Sequence, residues 1–453
     1  MKTMKLILIA AVVLMTCNSM VAQDTTTVQK PAVWTLKNCI DYAKQQNITI
    51  QKNKVSAAEA QIDVKKAKAA RQPSLSFSTN QGLTNRPFQE TSSVVNGSQV
   101  VTSNNKNSYT GNYGLNASMT IYDGGQMNKN IELQKLNSQI ADLNVSTSEM
   151  SIEESITKMY VQILYSMETV KQDSDLYKLS LAELDRAKAL FKAGTLNKAD
   201  VAQLESQTAT DKYQIVADQS TLDNYKLQLK QLLELNGDEN MTIAVPSLDD
   251  NVLEPLPTKS DVYAAALSLR PEIQAQKLSM NRSDLNVKIA KAGMLPTISL
   301  SAGTSTLNMS NNGNMFTQLK NQWNNTIGVT VSVPIFDRRQ TKSNVEKAQL
   351  EQKNSYLDLL DTQKTLWKTI EGYWQDATSA QQRYVAAKEK TNYARTSYNL
   401  TSEQFKLGLK NIIELMTDKN TLNSSTQQML QAKYMAILNR SLLKYYSGET
   451  ISL

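Results

Sequence analysis

Carboxylates are the side chains in this sequence most able to do chemistry. Glu153 and Glu154 are adjacent, as are Asp249 and Asp250. Neighbouring carboxylates can share a proton, divide acid and base work, or attract a cation. Catalysis needs a frame around them, and neither pair has a glycine-rich or aromatic surround. The chain has no histidine, which removes Ser-His and Cys-His nucleophiles and most zinc sites. It has no Walker-type phosphate loop either. The pairs therefore read as solvated helix or loop surface. No catalytic residue, cofactor or metal is expected, so the chain is not expected to be an enzyme.

The elements that carry these residues must be long. Aromatics make up only 6% of the 453 residues, too few for a compact core of that size, and the composition favours shallowly packed helices. The formal charge of +7 falls to +5 once Lys2 and Lys5 are removed, and it is spread without a basic block, so nucleic acid is not an expected partner. Lys2, Lys5 and the apolar stretch Leu6 to Met15 form a signal peptide, assigned to 1–22, with cleavage after Ala22 favoured. Lipid attachment at Cys17, within LMTC, is the rival processing, with Thr16 a poor residue before a lipidated cysteine. Cys39, then the single remaining cysteine, reads as a small buried helix residue. No helix-length apolar run follows residue 22. That excludes a helical inner-membrane protein and leaves a β-barrel open.

The chain is written twice. NITIQ at 47–51 answers RPEIQ at 270–274, and QPSLSFS at 72–78 answers LPTISLS at 295–301, both 223 residues apart. ASMTIYDGGQ at 117–126 answers VSVPIFDRRQ at 331–340 at a distance of 214, as FKAG at 191 answers FKLG at 405. The first repeat is assigned to 23–245, a linker to 246–259 and the second repeat to 260–453.

Each repeat predicts one helical segment, about 35–70 and 260–293, ended by Pro73 or Pro296. Two strands follow, near 74–84 and 109–122, then near 297–307 and 324–336, where apolar and small polar residues alternate. The stretches 85–108 and 308–322, rich in Asn, Ser, Thr and Gly, read as exposed loops. Asp123 and Asp337 stand where N-caps are needed. The next stretch, of about 70 proline-free residues, predicts about 100 Å of helix. Ile152, Ile156, Met159 and Ile163, and Leu366, Ile370, Tyr373, Ala377, Ala380 and Tyr384, keep coiled-coil spacing. Gly194 and Gly408 then reverse the chain, so 191–200 and 405–414 are tips of helical hairpins.

Four amphipathic strands cannot close a barrel, which in a membrane needs about eight or more. Two chains would supply eight strands and three would supply twelve, so an oligomer is expected.

The opening TLKNCIDYAKQQN, the joints IYDGGQ and IFDRRQ, SLRPEI at 268–273 and both FKxG tips together resemble the TolC-like outer-membrane factors over about residues 34–446. The resemblance implies a mainly helical fold with transmembrane β-strands: a homotrimer sharing a twelve-stranded barrel continued by a periplasmic coiled-coil tunnel. It implies a passive exit duct for efflux or type I secretion, set in outer-membrane lipid. The partners implied are a periplasmic adaptor protein and an inner-membrane transporter of RND or ABC type. It places adaptor docking at the tips with Phe191, Gly194, Phe405 and Gly408, and an acidic entrance constriction at Glu414, with Asp418, i, i+4 on the same helix face, expected to join it. The next acidic position of the family falls on Thr417 here, followed by Asp418. Asp200 matches a position that holds the entrance closed. Phe405 stands where the family has a hydroxyl-bearing aromatic, which leaves Lys410 as a substitute partner for Asp200. The competing reading is a secreted or periplasmic coiled-coil scaffold or adhesin without a pore.

Overall fold

The computed structural model of the chain describes residues 30–88, 92–96, 99–103, 106–246, 251–310 and 314–451. The expected signal peptide, Ala22, Cys17 and the Asp249–Asp250 pair lie outside the described residues.

Each repeat opens with two helices where the sequence predicts one. α1 (Leu36–Gln46) stops at Asn47, whose side chain accepts from Thr49 N and Ile50 N to start α2 (Ile48–Ala69) and donates to the Leu232 carbonyl at 2.9 Å. The amide thus offers the backbone an alternative to continuing the helix. In the second repeat α5 (Lys259–Leu269) stops at Arg270, and α6 (Pro271–Ala292) begins with proline at its first position. Pro271 drives the residue before it out of the helical region, and Arg270 sits at φ −70°, ψ 124°.

One antiparallel sheet holds strands from both repeats. β1 (Ser74–Asn85), β4 (Asn107–Asp123), β5 (Thr297–Met309) and β6 (Asn324–Ser332) pair in the order β1-β4-β5-β6. The register stacks Leu75, Ala117, Ala302 and Ile327 across it, and the neighbouring row reads Ser74, Ser118, Ser301 and Gly328. Side chains of adjacent rows point to opposite faces. One face therefore carries an apolar band, with Phe77, Leu115, Leu300 and Val329 in further rows. The other carries Ser, Asn, Gly and Thr. Leu75, Phe77, Ile327 and Val329 are all exposed in the single chain.

Three expectations about the strand region are corrected. The presumed loop 85–108 contains a second antiparallel pair, β2 (Ser92–Asn96) with β3 (Gln99–Ser103), in which Val94 faces Val101 in register. The presumed loop 308–322 contains a short helix, α7 (Met315–Asn321), capped by Asn314. β6 stops at Ser332 rather than near 336, because Pro334 has no N–H to give the ladder.

α3 (Gln126–Lys192) and α8 (Gln340–Lys406) each run 67 residues, about 100 Å at 1.5 Å per residue. α4 (Lys198–Leu232) and α9 (Ile412–Tyr446) return antiparallel for 35 residues each. No helix among the described residues is long and apolar enough to cross a membrane. The predicted seams face inward: Ile156, Ile163, Ile370 and Ala377 are fully buried, and Leu366, Ala380 and Tyr384 nearly so. The core is a chain of clusters along the helices. One gathers Trp34, Tyr160, Leu229 and Leu442, and another lies at the tips. Cys39 is fully buried, and burial pushes its thiol up to about 12.

Candidate functional site at the hairpin tips

The strand-to-helix joints set the direction of the long helices. Asp123 accepts from Gly125 N and, at 2.7 Å, from Met127 N; Asp337 accepts from Thr341 N at 2.7 Å. The N-cap positions themselves belong to Gly125 and Arg339, both left-handed, so the aspartates cap from two residues upstream of the expected place. The cause is the two-residue left-handed turn between each strand and its helix, at Gly124–Gly125 and Arg338–Arg339.

At the far end both long helices stop in the same way. Gly194 N donates to Phe191 O and Thr195 N to Leu190 O; Gly408 N donates to Phe405 O and Leu409 N to Gln404 O. These are Schellman motifs, and the glycines hold φ of 79° and 73°. Asn197 and Asn411 then cap the returning helices, accepting from Asp200 N and Glu414 N. Asp200 and Glu414 are thus equivalent third residues of α4 and α9. Glu414 also reaches back to Asn411 N and completes a capping box.

The tip carboxylates have separate surroundings. Glu414 is partly exposed and paired with Lys410; that hydrogen bond first, then the one from Asn411 N, holds its carboxyl below the usual range. Asp418 turns toward α8 and accepts from Ser397 Oγ at 2.9 Å and Thr401 Oγ1 at 2.6 Å. Lys410 pairs with Glu414, and no ion pair joins it to Asp200 among the described residues. Lys410 stands one residue before the N-cap Asn411, which brings its ammonium beside the Glu414 carboxylate on the first turn of α9.

The two tips differ in what they expose. Phe191 is 44% exposed, whereas its counterpart Phe405 is 8% exposed, packed with Leu184, Ala187, Val201, Leu204, Ile412 and Leu415 from the other three long helices. The second tip instead presents Leu407, Leu409 and Ile413 to solvent.

Behind the tips lies a polar cluster that the sequence reading missed. Lys419, on α9, is 1% exposed and pairs with Glu183 Oε2 of α3 at 3.0 Å and Asp211 Oδ2 of α4 at 3.7 Å. It also donates to Ser180 Oγ, and Tyr398 of α8 donates to Glu183 Oε1 at 2.6 Å. The cluster therefore ties all four long helices together, with Lys419 joining α9 to α3 and α4 and Tyr398 adding α8 through Glu183. The signal was present: Ile412, Leu415, Lys419 and Leu422 step by three, four and three, which puts a charge in a coiled-coil seam.

The adjacent carboxylates Glu153 and Glu154 are corrected too. They are not a solvated surface but bolts between helices. Glu153 pairs with Lys44 of α1 at 3.1 Å and accepts from Tyr445. Glu154 accepts from Lys158, from Tyr373 of α8 and from Tyr446 of α9. Burial pushes the Glu154 carboxyl up, but the hydrogen bonds from Lys158 and Tyr373 help outweigh it and hold it below the usual range.

The comparisons with known proteins agree with this architecture. The family described as "Outer membrane efflux protein" matches residues 39–234 and 262–449, one stretch per repeat. The chain is 21% identical over 345 residues to outer membrane protein TolC of Salmonella enteritidis, covering 74% of this chain and 68% of that one. Its fold is similar to crystal structures of CusC, with a TM-score of 0.77 at 16% identity, over 94% of this chain and 96% of that chain. It is also similar to VceC of Vibrio cholerae, with a TM-score of 0.73 at 14% identity, over 92% and 97%. The chain belongs to the outer membrane efflux protein family, as an export channel set in the outer membrane with its long helices in the periplasm, and it is not an enzyme.

Proposed function

We propose that three copies of this chain close their sheets into one twelve-stranded barrel and extend it as a helical tunnel that docks an adaptor and a pump. The observation that carries the reading is the sheet. It has an apolar face suited to lipid, a face of small polar residues suited to a water-filled lumen, and edge strands β1 and β6 each paired on one side among the described residues. An open edge in lipid leaves N–H and C=O groups without partners, so closure through neighbouring copies removes the largest cost of insertion.

The helices are too polar for lipid and continue the tube on the periplasmic side. At its end the exposed Phe191 of one tip and Leu407, Leu409 and Ile413 of the other offer apolar anchors for a periplasmic adaptor. Phe405 contributes indirectly, by holding the two tips together. Gly194 and Gly408 shape the turns that present them. The energy for export comes from an inner-membrane transporter of RND or ABC type, because the chain carries no machinery to supply it. Glu414, on the first turn of α9, is the acidic group of the entrance; Asp418 supports it by tethering α9 to α8.

Native mass spectrometry of the detergent-extracted protein tests the reading. A complex of three chains is the expected result. A monomer, or a species soluble without detergent, would overturn it in favour of a scaffold without a pore.

A further inference from the structure

Between α3, α4 and α9, away from the tips, lies a polar cavity of about 230 Å3. Asp173, Asp211, Gln207, Gln214, Asn423 and Gln427 line it. Asp173 is 2% exposed, and neither of its carboxylate oxygens has a hydrogen-bond partner of normal geometry. Asp218 of α4 and Gln427 of α9 approach it, and Asp218 is itself held by Gln214 at 2.8 Å. Lys419, a buried ammonium nearby, is taken by Glu183 and Asp211. A buried carboxylate beside a second carboxylate, with no ion pair to either among the described residues, is strongly disfavoured in its charged form.

Its polar lining is made of carboxylates, side-chain amides and the Thr210 hydroxyl, with no imidazole or thiol among the lining residues. No three carboxylate, thiol or imidazole groups converge as a ready-made metal site among the described residues. The donors that line the cavity are oxygens of carboxylates, side-chain amides and a hydroxyl, which suit a hard ion rather than zinc or copper. We propose that this cavity binds a hard divalent cation of the calcium class, held by Asp173 and Asp218 with amide oxygens of Gln427, Asn423 and neighbouring side chains. Binding there would join α3, α4 and α9 through one ion, beside the Lys419 cluster that already joins them. The site is carried by this chain's own side chains and does not depend on the export reading.

The test is a calorimetric titration of CaCl2 into the detergent-solubilised full chain at pH 8, with thermal melts in parallel and NaCl at matched ionic strength as control. Saturable heat and a rise in Tm of several degrees beyond the NaCl control are expected. Asp173→Asn should abolish both, and Asp218→Asn should weaken binding at least tenfold. No saturable heat in the wild-type protein overturns the proposal, and so does an undiminished response in Asp173→Asn. A melt that depends on pH but not on calcium would also overturn it, leaving a carboxyl pair that holds only a proton. The wild-type titration decides the matter even if a variant fails to fold.

Discussion

Lys419 Nζ and Glu183 Oε2 meet at 3.0 Å with the lysine almost wholly buried, so the ammonium of α9 is anchored to α3 of the other hairpin. The two hairpins come from different repeats, and this contact makes them one body near the tips. Its energetic meaning follows from burial. A paired buried charge is worth little against an apolar replacement, but leaving one partner alone is costly.

Lys419→Met should therefore destabilise the tip region by about 3–5 kcal/mol, the usual cost of stranding a buried carboxylate. Hydrogen exchange should quicken around Ser180 and Asp211 while the sheet stays protected. Adding Glu183→Met and Asp211→Leu should recover much of the loss. Unchanged exchange in the single variant would show that the lysine is not what holds the hairpins together.

The strand-to-helix joints give a prediction of opposite sign in the two repeats. Arg338 sits at φ 54° where Gly124 sits at φ 70°. A left-handed non-glycine residue costs about 1–2 kcal/mol, partly offset by the greater chain entropy glycine loses. Arg338→Gly should raise stability by up to about 1 kcal/mol, read as a higher midpoint of denaturation. Gly124→Ala should lower stability by more than that, because its Cβ would stand 2.7 Å from Ala292 O and 2.9 Å from Leu295 Cβ.

Glu414 has two duties that substitutions can separate. Glu414→Ala removes the charge and the side-chain half of the capping box; Glu414→Gln removes the charge and keeps an acceptor for Asn411 N. In reconstituted channels both should weaken block by divalent cations. The alanine variant alone should also lose roughly 0.5–1 kcal/mol of stability. If neither changes conductance or block, Glu414 does not face the pore.

Asp173 gives the protein a pH dependence. Burial first, then the hydrogen bond and charge of Asp218, push its carboxyl up to about 7. An unfolded aspartate titrates near 3.9. Across that window the folded state holds the proton more tightly, so the contribution of Asp173 to stability is fully present below about pH 4 and is lost as pH rises through about 7. In a calcium-free buffer with chelator, Asp173→Asn should melt higher than the wild-type protein at pH 8, and the gap should shrink toward pH 4. Parallel pH profiles for the two proteins would refute this.

Much of the architecture was legible because it rests on local periodicity. Alternation along 113–121 and 327–333 marked strands, three-four spacing marked the seams, and the FKxG stretches marked two turns that glycine alone makes cheaply. The breaks at Asn47 and Arg270 lay in the same repeats yet were missed, since one polar side chain or one proline redirects a helix without disturbing its pattern. The β2–β3 pair was missed because Asn, Ser, Gly and Thr suit a loop and a short strand pair equally well.

The amino-acid sequence by itself determined the duplication, the four strands of the main sheet and the length of the helices. These follow from composition and spacing along the chain. Only the tertiary structure decided which polar residues matter. Asp123 caps from two residues upstream, Lys410 belongs to Glu414 rather than Asp200, Phe405 is buried while Phe191 is not, and Lys419 joins helices whose contacting residues are as many as 239 positions apart. The physical reason is that a charge acts on whatever lies within a few ångströms of it. Which groups those are is set by how the two hairpins pack, not by their order in the chain.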